Sequence, residues 1–397
     1  MIGNIIGIFV VLLSFGFIIF IHELGHFLMA RRVGVKVFEF SLGFPLKIGN
    51  KDIILWQKKD EKTGTLYVVR PIPFGGYVSM NGEEIKEGEK VDPKDSTNFQ
   101  NKTRWEKMQV IAAGPLMNYI SAIVLFIFVG FAFGVGEMYL KPKVGNVIPD
   151  TPASQIGLKE GDYITSINGI KVTDAMEMIS LIHKSPAKPI NLVYMRDNKE
   201  YSVSVEPMTK EFPVEDGFKN TEDLKIVEKD GKKYIQIGLL GFQPDKTSLD
   251  IRFRRVSAGE VFIDCFDKTW KFTVSPFVAI AMICKGQVKS KEVIEGSSGP
   301  VGIGQMFFEM YNKGFPALIF FIAIINVLIG VFNLIPFPAL DGSKIVTLGI
   351  AQIIGKDFDP EKENMVHQIG FIILIVVVIF FTYNDIVRLI KGISFFK

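Results

Sequence analysis

His22 and His26 stand four residues apart, with Glu23 between them, in the run Phe20-Ile21-His22-Glu23-Leu24-Gly25-His26-Phe27. On a helix that spacing sends both imidazoles off the same face, where they can grip one metal ion. Glu23 leaves the helix about 100° round from His22, within reach of a water on that ion, and can serve as its general base. The cluster interrupts residues 5–30, which are otherwise almost wholly apolar. Ionisable side chains in a segment of membrane length are costly and usually functional. The chain has only 4 histidines in 397 residues, so abundance does not explain the spacing. The chemistry indicated is metal-assisted hydrolysis within a bilayer. The bland alternative is a helix end whose histidines rest at the headgroup level. Gly25 leaves room for another backbone to approach closely.

Two histidines do not complete a catalytic zinc site, which takes three protein ligands and keeps a position open. The best candidate for the third lies in Asn333-Leu334-Ile335-Pro336-Phe337-Pro338-Ala339-Leu340-Asp341-Gly342, where Asp341 follows a long run without another acid. The two prolines end a helix and remove backbone donors, so the chain there is irregular and needs protein or a polar cavity around it. Asn333 is a neutral donor suited to a substrate carbonyl or its oxyanion. Taken alone, Asp341 could equally be a turn residue and Asn333 an interhelical hydrogen bond.

These residues need a membrane frame. The chain is 48% apolar, has 35 phenylalanines and a mean hydropathy of +0.29, beyond an ordinary soluble protein. It is also 22% charged, so water-facing regions must alternate with spans. A net charge of +3 gives no reason to invoke nucleic acid. Four segments, 5–29, 108–134, 316–337 and 368–387, are long enough to cross the hydrocarbon. The first lacks a basic leader and is followed at once by Arg31-Arg32, which makes it a retained span rather than a signal peptide. The arginine pair puts residues 30–107 and 338–367 in the cytosol and 135–315 outside. Arg388, Lys391 and Lys397, after the last span, point the other way. Cys265 and Cys284, if on one helix, are too far apart for a disulfide.

Between the spans, Val35–Phe40 alternates and Thr65–Arg70 is rich in β-formers, giving a cytosolic β region over 35–80. Pro71–Val78 is apolar but broken by two prolines and two glycines, Gly75 and Gly76. It suits either an edge strand that pairs with an extended peptide or a surface hairpin. Farther on, Gly157-Leu158-Lys159-Glu160-Gly161-Asp162 precedes a strand, an Asn168-Gly169 turn, a helix over Asp174–His183 and strands at Ile190–Met195 and Tyr201–Val205. That order over 143–207 resembles a PDZ domain of the circularly permuted bacterial type, which implies a peptide ligand. His183 there reads as structural or surface. Residues 208–255 read as a linker with one strand, Tyr234–Phe242, and 256–290 as an amphipathic helix lying at the interface or packed on a soluble domain.

The histidine motif in a first span, a Pro-x-Pro-x-Leu-Asp-Gly run ending a later one and an intervening PDZ-like segment together resemble the site-2 protease family of intramembrane zinc metalloproteases. The bacterial regulator-of-sigma-E protease group is the nearest likeness. The resemblance extends to Gly75–Val78, Ala113-Gly114-Pro115-Leu116-Met117-Asn118, Asp267-Lys268-Thr269-Trp270, Ser298-Gly299-Pro300-Val301 and Tyr383-Asn384-Asp385. It implies a polytopic α-helical membrane protein of about four spans in the bacterial cytoplasmic membrane, with a membrane-associated β-sheet and one extracytoplasmic PDZ domain. It implies Zn2+ held by His22, His26 and Asp341, Glu23 as base, Asn333 near the substrate, and Gly75, Gly76 and Tyr77 in a loop that holds the substrate as a strand. Its expected partners are the bilayer, a PDZ ligand and single-pass membrane proteins, such as anti-sigma factors or signal-peptide remnants. The nearest relatives carry two PDZ domains where this chain has room for one. The competing functions are a non-catalytic PDZ scaffold and a divalent-metal transporter.

Overall fold

The computed structural model describes residues 2–48, 51–83, 92–213, 224–229, 232–245, 248–286 and 297–390. The helices among them are α1 (Ile2–Arg32), α2 (Arg104–Ala132), α3 (Pro152–Gln155), α4 (Ala175–His183), α5 (Ala258–Cys284), α6 (Pro300–Asn312), α7 (Phe315–Leu334), α8 (Asp341–Ile354) and α9 (Pro360–Ile390). The chain forms two compact units, one from residues 1–136 and 253–393 and the other from 137–252.

Among the described residues of the first unit, four helices are long and apolar enough to cross a membrane: Ile5–Arg32, Arg104–Ala132, Phe315–Leu334 and Lys362–Ile390. The third stops at Leu334, short of the expected 337, because Pro336 and Pro338 cannot continue it. The last begins well before 368, since Pro360 is well suited to a first helical turn and the polar residues after it join the helix. α2 opens on a reciprocal cap, with the Glu106 backbone N–H donating to Thr103 Oγ1 and the Thr103 N–H donating to Glu106 Oε2. α1 and α2 cross at their smallest residues. A Cβ on Gly25 would overlap the Ala113 carbonyl, and one on Gly114 would overlap the His26 ring.

α5 is one helix carrying both cysteines, Cys265 buried and Cys284 exposed, both free as expected. It runs antiparallel beside α2. Val261 meets Gly130, Cys265 Sγ lies 3.6 Å from the Ile123 carbonyl, and Thr273 Oγ1 lies 3.3 Å from Tyr119 Oη. The expected helix of 256–290 is thus present and packs along α2, and its last residues, 287–290, lie outside the described residues. The buried stripe Val261, Cys265, Thr269 follows helical spacing, while Phe262, Ile263, Phe266 and Trp270 stay exposed.

Two of the runs that carried the family resemblance meet in space. The Asp385 carboxylate of α9 is buried and accepts the backbone N–H groups of Gly299 (3.2 Å) and Gly302 (2.7 Å). It thus caps the start of α6, where backbone donors have no helical partner.

The expected β region is a sheet. Its strands are β1 (Val37–Phe44), β2 (Leu46–Ile48), β3 (Lys51–Ile53), β4 (Trp56–Lys59), β5 (Leu66–Val69) and β6 (Ile72–Met80). Four of them pair in the order β4-β5-β1-β6, with β1 parallel to β5 and antiparallel to β6. β6 is therefore an edge among the described residues. Val37, Phe40, Val78 and Met80 pack on Phe27 and Ala30 of α1, immediately beyond the histidine motif. Gly75 has φ +87°, and the pairing shifts register between Leu42 and Phe44, so the edge is bulged where glycine allows it. Arg70 is buried beneath the sheet, paired with Glu39 and with Asp52 (3.0 Å) and donating to Ser41 Oγ (2.7 Å).

The second unit contains β7 (Val135–Leu140), β8 (Val144–Val147), β9 (Tyr163–Ile167), β10 (Ile170–Lys171), β11 (Ile190–Arg196), β12 (Lys199–Val205), β13 (Met208–Pro213), β14 (Lys225–Lys229), β15 (Lys232–Leu239), β16 (Phe242–Pro244) and β17 (Leu249–Arg254). An antiparallel sheet runs β10-β9-β11-β12. Its two hairpins turn at Asn168-Gly169 and Asp197-Asn198, all four with positive φ, the signature of tight primed turns. Asp174 caps α4 by accepting the Glu177 N–H at 2.8 Å. The core includes Val144, Ile164, Ile167, Met178, Ile190 and Leu192.

Residues 208–255 hold more than the expected linker with one strand at Tyr234–Phe242. β13, β15 and β14 form a three-stranded sheet, and β16 pairs with β8. Leu240 belongs to the same core, so 143–207 alone would leave that core open. The parts of this segment at 214–223, 230–231 and 246–247 lie outside the described residues.

Candidate active site

α1 sets the first two candidate ligands. The four-residue step puts the His22 and His26 rings 4.7 Å apart at 80°, with their Nε2 atoms 3.1 Å apart. Asp341 is the first residue of α8 and follows a sharp turn. There Ala339 holds φ +83°, and its N–H donates to His367 Nδ1 of α9 at 3.1 Å. That turn brings Asp341 Oδ2 to 3.1 Å from His22 Nε2 and 3.4 Å from His26 Nε2. Among the described residues, His22, His26 and Asp341 are the only such group of histidine, cysteine and acid side chains.

The trio fits a tetrahedral ion. Bonds of about 2.0–2.1 Å give tetrahedron edges of about 3.3–3.4 Å, close to the three separations found. Both nitrogens are within ion-pair distance of Oδ2, yet this buried oxygen has no partner at a proper hydrogen-bond angle. Three potential ligand atoms converging on one point, with the buried carboxylate oxygen left without a hydrogen bond, are what a cation requires.

α2 supplies the support. The Val110 carbonyl takes the Nδ1–H of His26 at 2.9 Å, which leaves Nε2 free as a ligand. Gly114 lies against both rings. Asn118 stands 3.3 Å from His22 Nδ1. Sequence reasoning assigned roles to none of these three, because nothing in a residue type says which helix will face the motif.

Glu23 lines one pocket with His26, Asp341, Lys344 and the edge-strand residues Val78 and Met80. The Val78 backbone N–H approaches the Glu23 carboxylate. The base candidate, two of the three candidate ligands and the sheet edge thus share one cavity. Gly75 and Gly76 are buried on β6, and Tyr77 turns back into the sheet, donating from Oη to Glu39 Oε1 at 2.6 Å. Burial and Glu39 push the Tyr77 hydroxyl up to about 12, so it stays a neutral donor. Asn333 donates Nδ2 to the Ile329 carbonyl of its own helix at 3.0 Å. It is not among the residues lining the Glu23 pocket. His183 ends α4 in the second unit, and burial holds its pKa below the usual histidine range.

The sequence profile of peptidase family M50 matches residues 10–377. The zinc metalloprotease RasP of Oceanobacillus iheyensis is 27% identical over 454 residues, covering 95% of this chain and 98% of that one. The regulator of sigma-W protease RasP of Bacillus subtilis is 28% identical over 454 residues, covering 95% and 97%. A relative from Clostridium acetobutylicum is 32% identical over 383 residues, covering 96% and 97%. The RasP alignments are longer than this chain (454 against 397), so those relatives hold residues with no counterpart here. Among solved structures, the PDZ domain of an SdrC-like protein of Listeria monocytogenes is 27% identical over 18% of this chain and 74% of that one, with a TM-score of 0.17. With the M50 profile covering most of its length, this chain belongs to peptidase family M50 and is a zinc metalloendopeptidase of the site-2 protease type.

Proposed function

We propose that the protein hydrolyses peptide bonds in or beside the transmembrane segments of single-pass membrane proteins, at a zinc site made by His22, His26 and Asp341. The convergence of those three ligand atoms, with Glu23 on the same pocket wall, carries this reading. Zinc, when bound there, supplies Lewis acidity toward water and a peptide carbonyl. Glu23 takes the proton of the attacking water and returns it to the leaving amine. The edge of β6 offers backbone groups to a substrate segment that must leave its own helix before it can be cut. Gly75 permits the bulge that shapes this edge, Gly76 keeps it thin, and Tyr77 anchors it to Glu39. Asn333 is assigned a substrate carbonyl, with the amide donor it does not spend on Ile329.

The four apolar helices are the spans, and the protein is placed in a bacterial cytoplasmic membrane. The active site lies toward the cytosolic side, as Arg31 and Arg32 at the end of α1 favour. Residues 137–252 are read as one PDZ-type unit outside the cytoplasm, with a peptide or protein ligand. Its antiparallel sheet with α3 and α4 supports that assignment. The substrate class, anti-sigma-like proteins or signal-peptide remnants, rests on the family likeness.

The test is cleavage of a single-span reporter by the purified full-length protein. Chelator should stop it, and Glu23→Gln should lower it by about 10²–10⁴-fold while zinc still binds. Cleavage that survives both chelator and the substitution would overturn the mechanism.

A further inference from the structure

Asn118 is a fully buried amide in the middle of an apolar helix, and its Oδ1 has no hydrogen-bond partner. Its other end, Nδ2, lies 3.3 Å from His22 Nδ1. An amide that donates to Nδ1 requires that nitrogen to be unprotonated, which puts the ring proton on Nε2. That proton then lies on the 3.1 Å line to His26 Nε2, the hydrogen bond found between the two rings. A zinc ligand needs the opposite tautomer, because Nε2 must offer its lone pair and Nδ1 must carry the hydrogen. The amide would then present a donor to a donor. Turning it over about its last torsion brings Oδ1 to the place of Nδ2, at nearly the same position and size.

We propose that Asn118 is the positioning residue that sets the His22 tautomer. It donates to Nδ1 when the site is free of metal and accepts the Nδ1–H, through Oδ1, when zinc is bound. His26 has a fixed counterpart, since the Val110 carbonyl can only accept. α2 therefore orients both histidines, one permanently and one through a group that works in either sense. A leucine of similar shape would keep the packing and lose both hydrogen bonds. An aspartate can only accept from Nδ1–H, so it favours the metal-ready tautomer.

The inference rests on the zinc site assigned above, and the experiment separates the two. Zinc affinity is measured by competition with a chromogenic chelator on the full-length protein in detergent, for the parent, His22→Ala, Asn118→Leu and Asn118→Asp. Asn118→Leu should bind zinc about 10–100-fold more weakly than the parent. Asn118→Asp should bind at least as tightly as the parent. In parallel, histidines labelled with 15N should show a protonated Nδ1 on His22 in the zinc-loaded parent, assigned by its loss in His22→Ala. If Asn118→Leu binds like the parent, or Asn118→Asp binds as weakly as Asn118→Leu, or His22 keeps its proton on Nε2 with zinc bound, the role of Asn118 is wrong. If His22→Ala binds as tightly as the parent, the zinc site itself is wrong. Should Asn118→Leu prove unfolded by circular dichroism, the aspartate variant and the parent's nitrogen shifts still decide the matter.

Discussion

A Cβ on Gly114 would overlap His26 Nε2 and crowd His22 Cε1, so the smallest side chain on α2 stands where two ligands need space. Gly114→Ala adds one carbon, yet it must push a ring or a helix aside, and a tightly packed crossing resists both. Zinc affinity should fall by at least about tenfold in that variant, read by chelator competition. A variant that binds zinc normally would show that the crossing can open without moving the rings. Asp341→Asn keeps the shape of the third ligand and removes its charge, so metal content after dialysis should fall. Undiminished stoichiometric zinc would remove Asp341 from the ligand set. The chemistry of His22, Glu23 and His26 is legible because their spacing matches a helical turn and their surroundings are apolar. Asp341 is legible only as an isolated acid after two prolines, and geometry was needed to make it a partner. Val110, Gly114 and Asn118 act by facing the motif from another helix, and no local pattern encodes that facing.

Among the elements, α2 positions and β6 presents. The edge of β6 bends at Gly75, whose φ of +87° is strained for any side chain. Gly75→Val should therefore distort the edge and reduce reporter cleavage, while zinc binding, which uses none of β6, stays near the parent value. A parallel loss of zinc would mean that the sheet and the ligands fold as one piece. The four long apolar helices were readable to within a few residues from apolar length alone, apart from the start of α9, where charged residues carry the helix past its apolar run. α5 is not among them, because Asp264, Asp267, Lys268 and Lys271 dilute it, and its packing along α2 was not readable from composition. The sequence reading failed at β13–β15. Met208–Pro213 and Lys232–Leu239 carry lysines on their exposed positions, and half-solvated strands of that kind read as linker. A helix's neighbours and a strand's partner are set by long-range pairing, which composition does not report.

At the scale of the molecule, the two units have separate cores, and each should answer to its own perturbation. Removing zinc withdraws stabilisation only from the unit that contains His22, His26 and Asp341, by roughly 2.7 kcal/mol for a site held at a hundred times its Kd. Calorimetry with and without chelator should shift one unfolding transition and leave the other in place. The converse perturbation is Arg196→Ala. Arg196 holds the almost fully buried Asp162 at 2.6 Å, and removing it leaves that carboxylate with the Lys159 backbone N–H but no opposite charge. The second unit should lose about 3–5 kcal/mol, with zinc affinity unaltered. A single transition that moves under both treatments would show that the units unfold together.

The turn that delivers Asp341 has a consequence in time. α1 carries the base and two ligands from the start of synthesis, but the third atom of the cluster lies more than three hundred residues later in the chain. A nascent chain already threaded into the bilayer therefore exposes a glutamate and two imidazoles that cannot hold zinc as a three-ligand site. With the proposed ligand set, the site stays incomplete while the chain is being made, and it closes only when Asp341 has left the ribosome and its turn has folded back against the first helix.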